Sequence, residues 1–140
     1  EVVPLGGTED PLGGIQTSNA SSNISYDDRT SRTGSTSLKL DMTGTDQAQL
    51  TLDGLTVSRS TALSFWMKSS TTDRVVLTVF GYNENGLKFT KKLTLMPKST
   101  SNWEMVTLES NYDGITSMKL QFSAPDTILW LDNFELSAFK

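Results

Sequence analysis

The chain has 140 residues, enough for one domain of ordinary size and too few for two. Its 12 Lys and Arg stand against 16 Asp and Glu, a formal net charge of -4. That balance argues against the basic face of a nucleic-acid binder and against a polybasic membrane-surface domain. The sequence has no His and no Cys, which removes the Ser-His-Asp triad, the thiol nucleophile and the His/Cys zinc site.

From Glu1 to about Arg32 the chain is polar and Gly-rich, with Gly6-Gly7 and Gly13-Gly14 around Pro11. It reads as an irregular opening segment with one short strand near Ile15 or at Ile24 to Tyr26. The start, Glu1-Val2-Val3-Pro4, reads as that of a domain cut from a longer chain. Strand signals then follow at regular spacing: Ser37 to Asp41, Ala48 to Leu52, Ala62 to Lys68 and Arg74 to Tyr82. Leu87 to Leu95, Glu104 to Leu108, Met118 to Phe122 and Ile128 to Leu136 complete the series. Turn residues separate them, among them Asp53-Gly54, Asn83-Glu84-Asn85-Gly86, Tyr112-Asp113-Gly114 and Ala124-Pro125-Asp126. About eight short strands with hairpin-length gaps predict an all-β fold, a jelly-roll sandwich of two antiparallel sheets. Residues 1–140 form one domain on this reading. No apolar run of about 18 residues is present, so no transmembrane helix is expected. Ser and Thr make up about a quarter of the chain, which suits strands with one wet face.

Alternation assigns faces. Leu63, Phe65 and Met67 share the core side of one strand, leaving Trp66 and Lys68 outward; Met118, Leu120 and Phe122 face in, leaving Lys119 and Gln121 out. In the last strand Leu129 and Leu131 point inward, and Trp130 points outward with Asp132. The strand from Arg74 is ambiguous, and if Val75, Leu77 and Val79 are core then Phe80 and Tyr82 are exposed or lie under a loop. A large apolar side chain left in water forfeits roughly 1.5–3 kcal/mol of burial. A pyranose ring, which has apolar C–H faces and a hydroxyl rim, explains outward rings. Trp66, Trp130 and Tyr82 are then the stacking platforms, with Gln121, Lys119 and Lys68 as polar partners. The competing explanation is that these rings cover loops or cap the core. Trp103, which opens a strand after a turn, reads as structural.

Glu9 and Asp10 lie in the opening segment, and Asp132 lies in the final strand. If the first and last strands are neighbours, Glu9 and Asp132 meet, and with carbonyls near Thr33 to Thr36 they can hold a calcium ion. The competing reading is turn capping by Asp10 and solvated charge elsewhere. Asp27, Asp28 and Asp53 read as turn residues. No two carboxylates share a catalytic spacing, so no catalytic residue is assigned. Asn19-Ala20-Ser21 and Asn23-Ile24-Ser25 match the N-glycosylation pattern, which is common by chance in Ser-rich sequence.

Four stretches resemble the jelly-roll carbohydrate-binding modules of bacterial glycoside hydrolases, of the family 4, 9, 16 and 22 type. Gly7-Thr8-Glu9-Asp10-Pro11-Leu12-Gly13-Gly14-Ile15 resembles their opening G-F-E-D-G-x-x-G-W. Gly34-Ser35-Thr36-Ser37-Leu38-Lys39-Leu40 resembles G-x-x-S-L-x-V, and Thr61 to Lys68 resembles Y-x-L-S-F-W-V-K. Trp103 and Ile128 to Leu136 resemble their W and F-Y-I-D-N-V-x-L. Thr8 and Ile15 depart from the usual Phe and Trp. The resemblance implies a noncatalytic domain that holds an attached enzyme on a plant β-glycan such as β-glucan, xyloglucan, xylan or mannan. It also implies a structural calcium, with Glu9 and Asp132 at the matching positions. The expectation is a secreted, monomeric module that binds polysaccharide, with no nucleic-acid or membrane partner. The alternative is a protein-interaction domain or a cell-surface or phage adhesion sandwich, and a carboxylate-dependent hydrolase stands third.

Overall fold

A computed structural model describes residues 16–32, 36–53, 62–109 and 114–137. Its strands are β1 (Gln16–Ala20), β2 (Ile24–Asp27), β3 (Ser37–Asp41), β4 (Gln47–Asp53) and β5 (Ala62–Ser69), followed by β6 (Val75–Asn83), β7 (Gly86–Leu95), β8 (Glu104–Glu109), β9 (Ser117–Ser123) and β10 (Ile128–Ser137). They form two five-stranded sheets, β1-β4-β9-β6-β7 (sheet A) and β2-β3-β10-β5-β8 (sheet B). Every pairing is antiparallel, as expected from the sequence.

The opening segment differs from its expectation. Residues 16–27 contribute two strands, each forming one edge of a sheet. Hydrophobic alternation is silent there because β1 reads Gln-Thr-Ser-Asn-Ala and β2 has only Ile24 and Tyr26 as apolar residues. These strands are held by pairing to β4 and β3, an attachment that polar side chains do not prevent.

The core lies between the sheets and follows the alternation. Leu63, Phe65 and Met67 of β5 are buried, as are Val75, Leu77 and Val79 of β6 and Met118, Leu120 and Phe122 of β9. This settles the ambiguity in β6, leaving Phe80 and Tyr82 on its outer side, each half-buried. Phe65 binds the sheets together: its ring stacks on Phe134 at 4.9 Å between centroids and meets Phe122 edge-on at 6.1 Å. Phe134 reaches the core because of a bulge in β10. Asp132 pairs with Trp66, but Glu135 pairs with Ser64, so β10 spends one extra residue, and Asn133 takes a φ of 56° there. Asn tolerates that left-handed backbone better than most side chains. Past the bulge the alternation is reversed, which turns Phe134 inward.

On β7, Phe89 pairs with Gly81, and its ring covers the place a Cβ would occupy, 2.3 Å from the nearest ring carbon. Lys91 pairs with Val79 and so falls on the core-facing side of this edge strand, where its ammonium donates to the Glu109 carbonyl of β8. In urea melts Gly81→Ala should therefore cost about 1–3 kcal/mol from overpacking. A double-mutant cycle with Phe89→Ala should show strong coupling, and additive effects would contradict this packing.

Candidate functional site

The six residues expected to bind sugar do not converge on one surface. Trp66, Lys68 and Trp130 lie on the outer face of sheet B; Tyr82, Lys119 and Gln121 lie on the outer face of sheet A. The whole core separates the two groups.

On sheet B the outward indoles are engaged by the protein itself. Trp130 donates its indole N–H to Asp27 Oδ2 at 2.9 Å, and Lys68 Nζ lies 6.0 Å from the centre of its ring. The guanidinium of Arg32 lies 3.7 Å from the centre of the Trp66 ring. Arg32 is brought there by Asp132, whose Oδ2 accepts the Arg32 backbone N–H at 2.8 Å while Oδ1 accepts that of Asn133 at 2.8 Å. Asp132 is therefore 2 % exposed although it stands on the outer side of β10. Asp27 does act as a turn residue, accepting the Arg29 backbone N–H at 2.8 Å, and it anchors Trp130 as well. Glu9 and residues 33–35, assigned to the expected calcium site with Asp132, lie outside the described residues.

On sheet A the pairing builds a polar row and, beside it, one that ends in an aromatic ring. Gln49 of β4 pairs with Gln121 of β9, which pairs with Thr78 of β6. In the next row Thr51, Lys119 and Phe80 align, and Tyr82 follows beside Ser117. Phe80 and Tyr82 are two residues apart on one strand, so their attachment points are about 7 Å apart. Lys119 Nζ lies 4.7 Å from the centre of the Phe80 ring. Among the described residues the Tyr82 hydroxyl and the Gln121 amide make no hydrogen bond. They are partly exposed and remain available to a ligand. The sequence marked Tyr82, Lys119 and Gln121, but Phe80 was left undecided because both faces of β6 carry apolar residues.

Trp103, expected to be structural, is half-buried and lines a depression of about 430 Å³ together with Trp66, Met105 and the loop that follows β7. Nothing in its local sequence sets that position, because it depends on Trp66 arriving from a different strand. Among the described residues no three His, Cys, Asp or Glu side chains cluster as metal ligands.

No protein-family model matches the chain, and no curated protein matches it. Solved structures do. A family 6 carbohydrate-binding module superposes with a TM-score of 0.65 at 17% identity, covering 92% of each chain. TmCBM61, solved in complex with β-1,4-galactotriose, gives 0.62 at 12% identity over 94% of this chain and 92% of its own. The K3 cleaved adhesin domain of Lys-gingipain from Porphyromonas gingivalis W83 gives 0.55 at 10% identity over 76% and 75%. The chain thus has the β-sandwich fold of the carbohydrate-binding modules.

Hydrogen bonds from the Arg29 backbone and then from the Trp130 indole hold the Asp27 carboxyl below its ordinary 3.8, outweighing its desolvation, with Lys39 adding a smaller attraction. A lowered folded-state value means that this stability is present above 3.8 and is lost as pH falls through the lowered value. Melting temperatures should therefore fall as the pH is lowered past 3.8. Asp27→Ala should make that drop smaller and shift the tryptophan emission as Trp130 is released. An unchanged emission would show that Asp27 does not position the indole.

Proposed function

We propose that the outer face of sheet A binds polysaccharide and that the domain has no chemistry of its own. The observation that carries this reading is the unengaged Gln121 amide and Tyr82 hydroxyl beside aromatic surface, with the Lys119 ammonium lying on the Phe80 ring. Gln121, Tyr82 and Lys119 stand in register beside Phe80, Thr78 and Gln49 on three adjacent strands. Phe80 and Tyr82 supply apolar surface for sugar C–H faces, while the amides, the ammonium and the phenol supply hydroxyl partners. Each stacked sugar buries about 100 Å² of apolar area, roughly 2.5 kcal/mol at 25 cal/mol per Å². Two or three such contacts, after association costs, give micromolar to millimolar affinity.

The finer reading is a plant cell-wall β-glycan as ligand. In it the domain is a secreted, monomeric accessory module that targets a covalently attached glycoside hydrolase to its substrate. The net charge of -4 suits a neutral, hydroxyl-rich ligand better than an acidic one. The proposed calcium would be held by Asp132 with Glu9. Asp132 supplies a carboxylate, the hard oxygen donor that calcium takes, next to the backbone of Arg32. The ion would fasten the segment that carries Arg32 to β10. The adhesion reading uses the same sandwich, and it loses ground to the open amide and phenol groups of sheet A.

Affinity electrophoresis against soluble β-glucan, xyloglucan, xylan and galactomannan tests the main reading. Retardation by at least one glycan is expected, and Tyr82→Ala should weaken it about tenfold or more. Retardation by none would count against the reading, and sugar release from any of them would restore the hydrolase. For calcium, adding the ion at about 100 times its Kd to chelator-treated protein should stabilise the fold by about 2.7 kcal/mol. Asp132→Asn should abolish that gain; an identical melt with and without calcium would remove the metal from the account.

A further inference from the structure

The chain has no cysteine, so its five methionines hold every sulfur atom it has. Three of them, Met42, Met67 and Met118, are packed into the core between the sheets. The other two stand in water: Met96, just after β7, is 62% exposed, and Met105 of β8 is 52% exposed. Exposure decides how a methionine meets an oxidant, because the reagent must reach the sulfur lone pair.

The surroundings of the two exposed thioethers differ. Met105 pairs with Trp66 and lines the depression of about 430 Å³ that Trp103 also lines. Lys98 and Asn102 line it too, whereas Met96 does not. Among the described residues neither the Lys98 ammonium nor the Asn102 amide makes a hydrogen bond or ion pair. Glu104, the one carboxylate there, has its Oε2 occupied by the Lys98 backbone N–H at 2.9 Å. Arg32 adds a second cation, 3.7 Å from the centre of the Trp66 ring. A sulfoxide oxygen is a polar acceptor with no proton to donate. Beside Met105 it finds an amide donor, an ammonium and a guanidinium. Beside Met67 or Met118 it would stand among apolar side chains, where an unpaired polar group is costly.

We propose that Met105 is a site of reversible oxidation to the sulfoxide by hydrogen peroxide, confined in its effect to the outer edge of sheet B. The thioether sulfur attacks one peroxide oxygen, and the S–O bond forms as the O–O bond breaks. The proton on the transferred oxygen passes to the departing one, which leaves as water. Sulfur gives up two electrons and the peroxide takes them. The side chain stands outside the core, so the sandwich survives the change. Sheet A lies on the other side of that core, and the inference does not depend on the polysaccharide reading.

The test treats the unmodified chain with hydrogen peroxide and follows its proteolytic peptides by mass spectrometry. Met96 and Met105 should each gain one oxygen at least about tenfold faster than Met42, Met67 and Met118, which solvent reaches only when the sandwich opens. Equal rates at all five, or a Met105 as slow as the core methionines, overturn the proposal. Tryptophan emission should shift as Met105 is oxidised while circular dichroism stays unchanged, and methionine sulfoxide reductases of both epimer specificities should reverse the shift. Met96→Leu should keep the emission response, and Met105→Leu, a swap of similar volume, should abolish it. An emission that does not move, one that still moves in Met105→Leu, or loss of sheet structure on oxidation overturns the assignment.

Discussion

Asp132 is a carboxylate withdrawn from water on a face of the sandwich where its neighbours remain half-exposed. Such a group is costly unless its oxygens are satisfied, and the amides of Arg32 and Asn133 satisfy them. Much of sheet B's arrangement depends on those two bonds. The bond to Asn133 sits at the bulge that turns Phe134 into the core, where it stacks on Phe65. The bond to Arg32 draws the segment after β2 across the sheet and sets a guanidinium on Trp66. Core packing and surface shape thus meet at one side chain.

The two outer faces of the sandwich are used differently. Sheet B spends its polar groups on itself: Asp27 holds Trp130, Arg32 covers Trp66, and what stays open is the hollow at the edge strand. Sheet A carries its amides and phenol on three adjacent strands with no such internal use among the described residues. A flat sheet of that kind offers a long, shallow contact.

The architecture was legible because β5, β9 and the first half of β10 alternate cleanly, and each inward residue named from that alternation is buried. The edge strands β1 and β2 were not, since an edge strand of polar residues leaves no periodic trace and is defined by the strand it joins. Face assignment was equally legible, and Trp66, Trp130, Lys119 and Gln121 all point outward. What alternation does not carry is sheet membership. Trp66 and Tyr82 are both outward, yet strand order puts them on opposite sides of the molecule. Trp103 shows the same limit, because its place beside Trp66 follows from β8 pairing with β5 and not from any local signal. Arg32 was invisible as a partner of Trp66 for the further reason that bonds to Asp132 and Asn133, about 100 residues distant in sequence, bring it there.

Lys91 carries a consequence for the two open edges of the sandwich. Strand β7 ends sheet A and β8 ends sheet B, so two rows of backbone donors and acceptors lie at the same side of the molecule. An edge of that kind is a template on which a strand from another copy can zip. Lys91, exposed at this seam, donates to the Glu109 carbonyl of β8 and so places a positive charge between the two edges. The lysine latches the two sheets at their open seam, and a charge on an edge strand disfavours pairing with a strand from another copy.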